Sequence, residues 1–154
     1  MEATEWNRRL ARAERLCSRR EYCAHEIRTK LKAEGMIGEE ADQVIESLIQ
    51  RNFLNEPRYT RAFVHDKSNL QGWGPEKIRF ALRAKQIPDT AIGEALALID
   101  VDAQKEKLRR LLETKRQNLK ADSQYALKAK LIRFGLSRGF SYDDIQSVLT
   151  TCQD

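Results

Sequence analysis

The chain has 154 residues, of which 41% are hydrophobic and 33% are charged, and its formal net charge is +5. This composition allows a hydrophobic core, the longest apolar stretches are far too short to cross a bilayer, and 7 Gly and 3 Pro are too few for a many-stranded β fold. The N-terminus is a charged amphipathic segment rather than a signal peptide, so we expect a soluble, cytoplasmic protein.

The cysteines give no sign of a disulfide framework or a zinc site. The chain has an odd number of cysteines and no CxxC pair; the three are Cys17, Cys23 and Cys152. His25 and His65 lie far from any metal-ligand spacing. We therefore expect free thiols in a reducing compartment and no bound metal.

Helical periodicity begins near Trp6. Apolar residues recur at steps of three and four over 6–17, again over 27–31 and again over 44–49. Glu34-Gly35 follows the second of these stripes and supplies turn chemistry. The pattern predicts three helices before residue 54.

The same order returns twice along the chain. The helix that opens with Tyr59 is broken at Gly72-Trp73-Gly74-Pro75, and Pro75 suits the first turn of the next helix, whose stripe includes Ile78. A third helix follows Pro88. In the last third of the chain, Ser141 with Asp144 forms a capping box at the start of the final helix.

An alignment of the three passes indicates a repeat. Its columns are Ile37, Ile87 and Phe140, then Ile45, Ala95 and Val148, then Ile49, Ile99 and Cys152. Periods near 50 residues are typical of stacked three-helix units that are each too small to bury their apolar face alone. The sequence predicts an all-α fold with units at 1–54, 55–100 and 101–154; chance similarity among amphipathic helices is the alternative.

No motif indicates catalysis. The chain lacks a GxxxxGK[ST] phosphate loop, a GxGxxG fingerprint, an HExxH pair and a GxSxG elbow. His65 could act as a base, but a histidine in such a segment is usually a surface residue of a helix. We expect neither an enzyme nor a cofactor.

Positive charge is concentrated in the last third of the chain. Residues 1–54 carry 10 basic and 10 acidic side chains, whereas 105–133 carry 10 and 3. A charged helix face can simply be solvated, but this imbalance favours contact with a polyanion or an acidic protein groove. The predicted contacts are Lys105, Arg109, Arg110, Arg116, Lys128 and Arg133, with Arg58, Arg61, Arg79 and Arg83 as the second choice.

Trp73 has two interpretations. Between two glycines it can pack across the loop as a staple. Alternatively it is an exposed aromatic that stacks on a base or anchors a protein interface.

Three stretches of this sequence form a recognisable signature: Phe53-Leu54-Asn55-Glu56-Pro57-Arg58-Tyr59 with Ala62-Phe63, then Gly72-Trp73-Gly74-Pro75-Glu76-Lys77-Ile78, and the Arg138-Gly139-Phe140 turn. Together they resemble the RecX family, bacterial modulators of the RecA recombinase. The resemblance runs from about Ala11 to Leu149. Two departures touch helix starts: Cys23 stands where the family often has Ser, and Asn55-Glu56 replaces an acidic pair.

The resemblance implies three tandem three-helix units in an elongated, curved molecule. It also implies docking in the groove of the RecA–DNA filament across more than one subunit, which would hinder ATP hydrolysis and strand exchange and so tune recombination and DNA repair. It implies no cofactor, and we expect a monomer. The family pattern describes fold residues, so the predicted contacts rest on charge alone.

Two other functions remain open from the sequence. Tri-helical units resemble helix-turn-helix modules, so the chain could bind single- or double-stranded DNA directly with its basic units. Against this interpretation, no helix is dense in Arg, Asn and Gln. A scaffold for some other acidic protein is the third possibility.

Overall fold

The computed structural model describes residues 2–152, with side chains to residue 151. Within that range it has nine α-helices and no strand, which confirms the all-α prediction. In chain order they are α1 (Ala3–Arg19), α2 (Ala24–Ala33), α3 (Glu39–Gln50), α4 (Glu56–Asn69), α5 (Pro75–Ala84), α6 (Asp89–Leu96), α7 (Val101–Gln117), α8 (Gln124–Ser137) and α9 (Tyr142–Cys152).

Three hydrophobic clusters form the core, one for each consecutive group of three helices. Their most buried members are Ile27, Val44 and Leu48 in the first, Ile78, Leu82 and Ile92 in the second, and Leu108 and Ile145 in the third. Within the groups, α3 packs on α1 and α2, α4 on α5 and α6, and α7 on α8 and α9. The chain is therefore three three-helix units in tandem.

The turn between the second and third helix is the same in all three units. A backbone N–H donates to the carbonyl five residues earlier, as in a Schellman motif: Met36 to Leu31 at 2.8 Å, Ile87 to Leu82 at 3.1 Å and Phe140 to Gly135 at 3.1 Å. The residue before each donor has a positive φ, and these residues are Gly35, Gln86 and Gly139. The donor side chains all turn into the core.

This turn corrects the predicted register of the first unit by one residue. Ile37 and Ile49, placed in buried columns, are 66% and 53% exposed, whereas Met36 and Leu48 are buried. Two adjacent apolar residues fit a helical period almost equally well, so periodicity could not separate them. The positive φ of Gly35 decides the register, because the residue that follows it bonds back to α2. Cys152, in the third column, lies outside the described side chains.

Helix starts follow the capping chemistry of the sequence. Ser141 Oγ accepts from the N–H of Asp144 at 3.1 Å, as predicted, and Pro75 is the first residue of α5. At Cys23 the Glu26 carboxylate accepts the backbone N–H at 3.1 Å. The helix therefore keeps its reciprocal cap although a thiol replaces the hydroxyl that the family often has there.

Candidate functional site

Backbone hydrogen bonds join the second and third units. The N–H of Gly74 donates to the carbonyl of Arg138 at 2.7 Å, and the N–H of Glu76 donates to the carbonyl of Gly139 at 2.9 Å. The loop before α5 thus lies directly against the turn between α8 and α9. The two motifs that resemble the family signature meet at this contact.

The two loop glycines are needed for different reasons. Gly72 has φ +67°, a left-handed conformation that favours glycine. Gly74 has φ −81°, which any residue adopts, but a Cβ there would lie 2.5 Å from the carbonyl carbon and oxygen of Gly139. Close approach of two backbones, and not turn geometry, therefore requires glycine at position 74.

Trp73 is half-buried against the second cluster. Its ring meets Phe63 edge-on at 6.4 Å between centroids. The ammonium groups of Lys67 and Lys77 lie 4.7 Å and 4.5 Å from the centroid of the Trp73 ring, within cation–π range. These contacts favour the staple interpretation, since lysine side chains occupy the ring surface that a base would need.

A groove of about 590 Å³ opens beside this junction, between the C-terminal end of α4 and one side of α7. We call it the junction groove. Its lining includes four cations, Lys107, Arg110, Lys115 and Arg138, and no aspartate or glutamate among the residues that the structure describes. The groove is therefore a concentrated positive surface.

The rest of the lining combines polar and apolar side chains. Asn69, Gln71 and Asn118 contribute amides, while Leu111 and Phe134 contribute apolar surface. Leu70 at the rim is 78% exposed, so the groove offers both charge and an apolar contact.

Internal contacts hold the groove's cations in place. Arg138 Nη2 donates to the carbonyl of Gln71 at 2.6 Å. Lys107 Nζ hydrogen-bonds the Asn69 side chain across the groove. Lys115 Nζ lies 5.1 Å from the centroid of the Phe134 ring. Two of these contacts connect the end of α4 and the residues after it to α7 and to the end of α8.

The six predicted contacts do not share one face. Lys105, Arg109 and Arg116 recur at i, i+4 and i+11, which is one stripe of α7. Arg110 lies on the other side, in the junction groove. Lys128 and Arg133 belong to α8, where Arg133 is exposed and Lys128 half-buried.

An acidic residue partly neutralises the α7 cations. Glu106 contacts Arg109 at 2.6 Å and Arg110 at 3.3 Å. The hydrogen bond from Arg109 is the main cause that lowers the pKa of Glu106 to about 2, so this carboxylate is ionised at any physiological pH. Arg109 is accordingly less available to a partner than its charge suggests.

The second-choice arginines are mostly engaged within the chain. Arg58 Nε donates to both carboxylate oxygens of Glu21 at 2.8 Å. Arg79 lies 4.0 Å from Glu76, and Arg83 lies 2.8 Å from Asp89. Arg61 is exposed and lines a different, smaller groove.

Charged side chains and one thiol join the first and second units. Besides the Glu21–Arg58 pair, Glu26 on α2 contacts Lys85 after α5 at 3.0 Å. Burial alone would raise the pKa of Glu26, but hydrogen bonds from Lys85 and from the Cys23 N–H lower it below its usual range. Cys23 itself packs in the hydrophobic cluster of the second unit, and burial raises its pKa.

Periodicity arguments missed a charge pattern across the repeat. The third helix of every unit, α3, α6 and α9, contains no lysine or arginine. All 28 basic residues therefore lie on first and second helices and in loops. A count of charge by helix position would have found this pattern in the sequence.

The described part of the chain contains neither a candidate metal site nor a candidate membrane-spanning helix. No group of three or more His, Cys, Asp or Glu residues there could hold a metal ion, and none of its helices is long and apolar enough to cross a bilayer. Burial raises the pKa of the Cys17 thiol to about 11, so its nucleophilic thiolate is scarce at neutral pH.

Three models of RecX domains match the chain in order. Those described as the first, second and third three-helix domains of RecX match residues 10–48, 55–96 and 102–149. Each matched range lies within one of the three units.

Named relatives and solved structures agree with these matches. Regulatory protein RecX of Prosthecochloris aestuarii is 35% identical over 84% of this chain and 83% of its own length. Regulatory protein RecX of Haemophilus ducreyi is 34% identical over 81% of this chain and 80% of its own length. The RecX of Clostridium botulinum strain Eklund 17B is 35% identical, but the match spans only 58% of that relative. The crystal structure of RecX from Lactobacillus salivarius has 25% identity and a TM-score of 0.86 over 97% of both chains. By its three domains, its relatives and its fold, the chain belongs to the RecX family.

Proposed function

We propose that this chain is a regulatory protein that binds the RecA–DNA filament and mainly inhibits its ATP hydrolysis and strand exchange. The observation that carries the proposal is the ordered match of all three RecX domains, together with relatives named regulatory protein RecX. The proposal includes a monomeric, cytoplasmic protein that is not an enzyme. The elongated, curved shape and the unit boundaries at residues 54 and 100 stay predictions.

The charge distribution supports a binding role. Cations on the first and second helices, and above all in the junction groove, provide a surface that attracts DNA phosphates or acidic side chains. The contacts predicted from charge, Lys105, Arg109, Arg110, Arg116, Lys128 and Arg133, remain part of this proposal. The division of α7 into two sides makes them testable as separate groups.

Direct DNA binding by the basic tri-helical units is the weaker alternative. In helix-turn-helix proteins the recognition helix enters the major groove and reads base edges. In a tri-helical unit that helix would be the third, and α3, α6 and α9 carry acidic residues and no lysine or arginine. Weak, salt-sensitive contact with phosphates is compatible with the filament proposal.

The test is the single-stranded-DNA-dependent ATPase of RecA with this chain titrated in. We expect suppression at concentrations well below those at which the chain alone retains single-stranded DNA on a filter. Equal retention of bare DNA and of the filament, with unchanged ATPase, would favour the DNA-binding alternative.

A further inference from the structure

We infer that the junction groove is a docking site for an acidic peptide segment that carries an apolar anchor side chain. The inference goes beyond the proposed function, because it assigns a surface and a ligand chemistry that hold whatever protein supplies the segment.

The first argument is charge. Lys107, Arg110, Lys115 and Arg138 face one groove with no carboxylate among its described lining residues. Glu106, the acidic residue that pairs with Arg110, is not part of that lining. Four like charges around one groove repel one another, and a ligand with carboxylates would relieve this repulsion.

The second argument is size. The α7 wall runs from Lys107 to Asn118, a length of about 16 Å at ~1.5 Å per residue. That length matches about five residues of an extended peptide or about three turns of a helix. The groove therefore suits a short segment of a protein and not a single small anion.

The third argument is the apolar surface. Leu111 and Phe134 contribute apolar surface to the lining and Leu70, 78% exposed, lies at its rim. Apolar patches rimmed by polar groups are typical of sites where a partner inserts a leucine, methionine or aromatic side chain. Cations around such a patch select a segment that is acidic as well as apolar.

Nucleic acid fits the groove less well. Single-stranded nucleic acid is bound by cations together with exposed aromatic faces on which bases stack. Phe134, the one aromatic residue of the described lining, has the Lys115 ammonium over its ring, and Trp73 does not line the groove. The groove thus attracts phosphates without holding bases.

The experiment measures fluorescence anisotropy of a labelled 12-residue peptide of Asp and Glu with two leucines, added to the whole chain without recombinase. Lys107→Glu with Lys115→Glu should weaken binding by about tenfold or more, because two attractive contacts become repulsive. The matched control, Lys105→Glu with Arg116→Glu, makes the same charge change on the other side of α7 and should change binding by no more than about twofold. Equal losses in the two pairs would overturn the inference, since overall charge would then explain binding.

Two exposed positions keep the test independent of folding. Arg110→Glu should lower the affinity for the peptide. Leu70→Ser should also lower it, but should leave the affinity for a leucine-free version of the peptide unchanged. No binding of the peptide, or tighter binding of labelled oligothymidylate with the same dependence on the groove residues, would refute the inference. If the parent chain binds the peptide but does not suppress the RecA ATPase, that result would count against the proposed function and not against this inference.

Discussion

Gly74 and Gly139 lie so close together that a methyl group on Gly74 would overlap the carbonyl of Gly139. The second and third units therefore meet backbone to backbone. No side chain that could be trimmed or repacked separates them, so this contact has little tolerance for added volume.

Gly74→Ala should lower the free energy of unfolding by about 1–3 kcal/mol, the range for overpacking at a rigid contact. Gly93→Ala is the matched control, because a Cβ there meets nothing within 4 Å and alanine favours the interior of α6. Chemical denaturation of both variants measures the difference. A Gly74 variant as stable as the Gly93 variant would show that the junction can open at little cost.

The register of the first unit predicts opposite effects at two adjacent residues. Met36 is 1% exposed and Ile37 is 66% exposed. Met36→Ala should lower the free energy of unfolding by about 2–5 kcal/mol, the range for a truncated core side chain. Ile37→Ala should change the free energy of unfolding by no more than about 0.5 kcal/mol. Thermal unfolding of the two variants checks the register. A larger loss of stability in the Ile37 variant than in the Met36 variant would support the register predicted from periodicity.

Gln86 occupies the left-handed position that glycine holds in the other two units, with φ +62°. Gln86→Gly should stabilise the chain by about 0.5–1 kcal/mol, because relief of the left-handed strain exceeds the added entropy of the unfolded chain. Asn52, with φ +63°, is the control, since asparagine tolerates this region. Asn52→Gly should therefore change the melting temperature little, and an equal gain at both positions would contradict the argument.

The Glu26–Lys85 pair makes the stability of the first junction depend on pH. The folded-state pKa of Glu26 is lowered, so its contribution is present above the pKa of the unfolded chain and is lost as pH falls through the folded pKa. The Glu26→Gln variant should thus have a lower melting temperature than the parent at pH 7. This difference in melting temperature, the gap, should narrow at pH values below the usual pKa range of glutamate. Melting curves at several pH values measure the gap, and a gap independent of pH would exclude this linkage.

Reversal of the α7 cations tests the filament contacts predicted from charge. Arg109→Glu, Arg110→Glu and Arg116→Glu together should leave the helical spectrum intact, since all three side chains are exposed. The concentration needed to suppress the RecA ATPase should rise about tenfold, which corresponds to about 1.4 kcal/mol. Comparison of Arg110 alone with the Arg109 and Arg116 pair then identifies the side of α7 that matters. A triple variant that suppresses as well as the parent would move the contacts to other residues.

The sequence predicts the helices well but not the junction groove. Stripes of apolar residues and turn chemistry predict three helices in each unit, because each signal is local. The junction groove could not be predicted in this way, since Arg138 reaches the carbonyl of Gln71 across 67 residues of chain. Lys107 and Lys115 belong to the basic run, but only the fold separates them from Lys105 and Arg116, because it places one side of α7 across the groove from the end of α4.

The paired loop and turn between the second and third units bear on how the chain folds. Most contacts within a unit are local in sequence and can form early in folding. The loop at residues 72–76, however, forms its hydrogen bonds to Arg138 and Gly139 only after the α8–α9 turn has folded against it. Until then the amides of Gly74 and Glu76 bond to water. Loss of the third unit would release those amides again, so the two units should unfold in one cooperative transition, as neighbouring repeats with strong interfaces do.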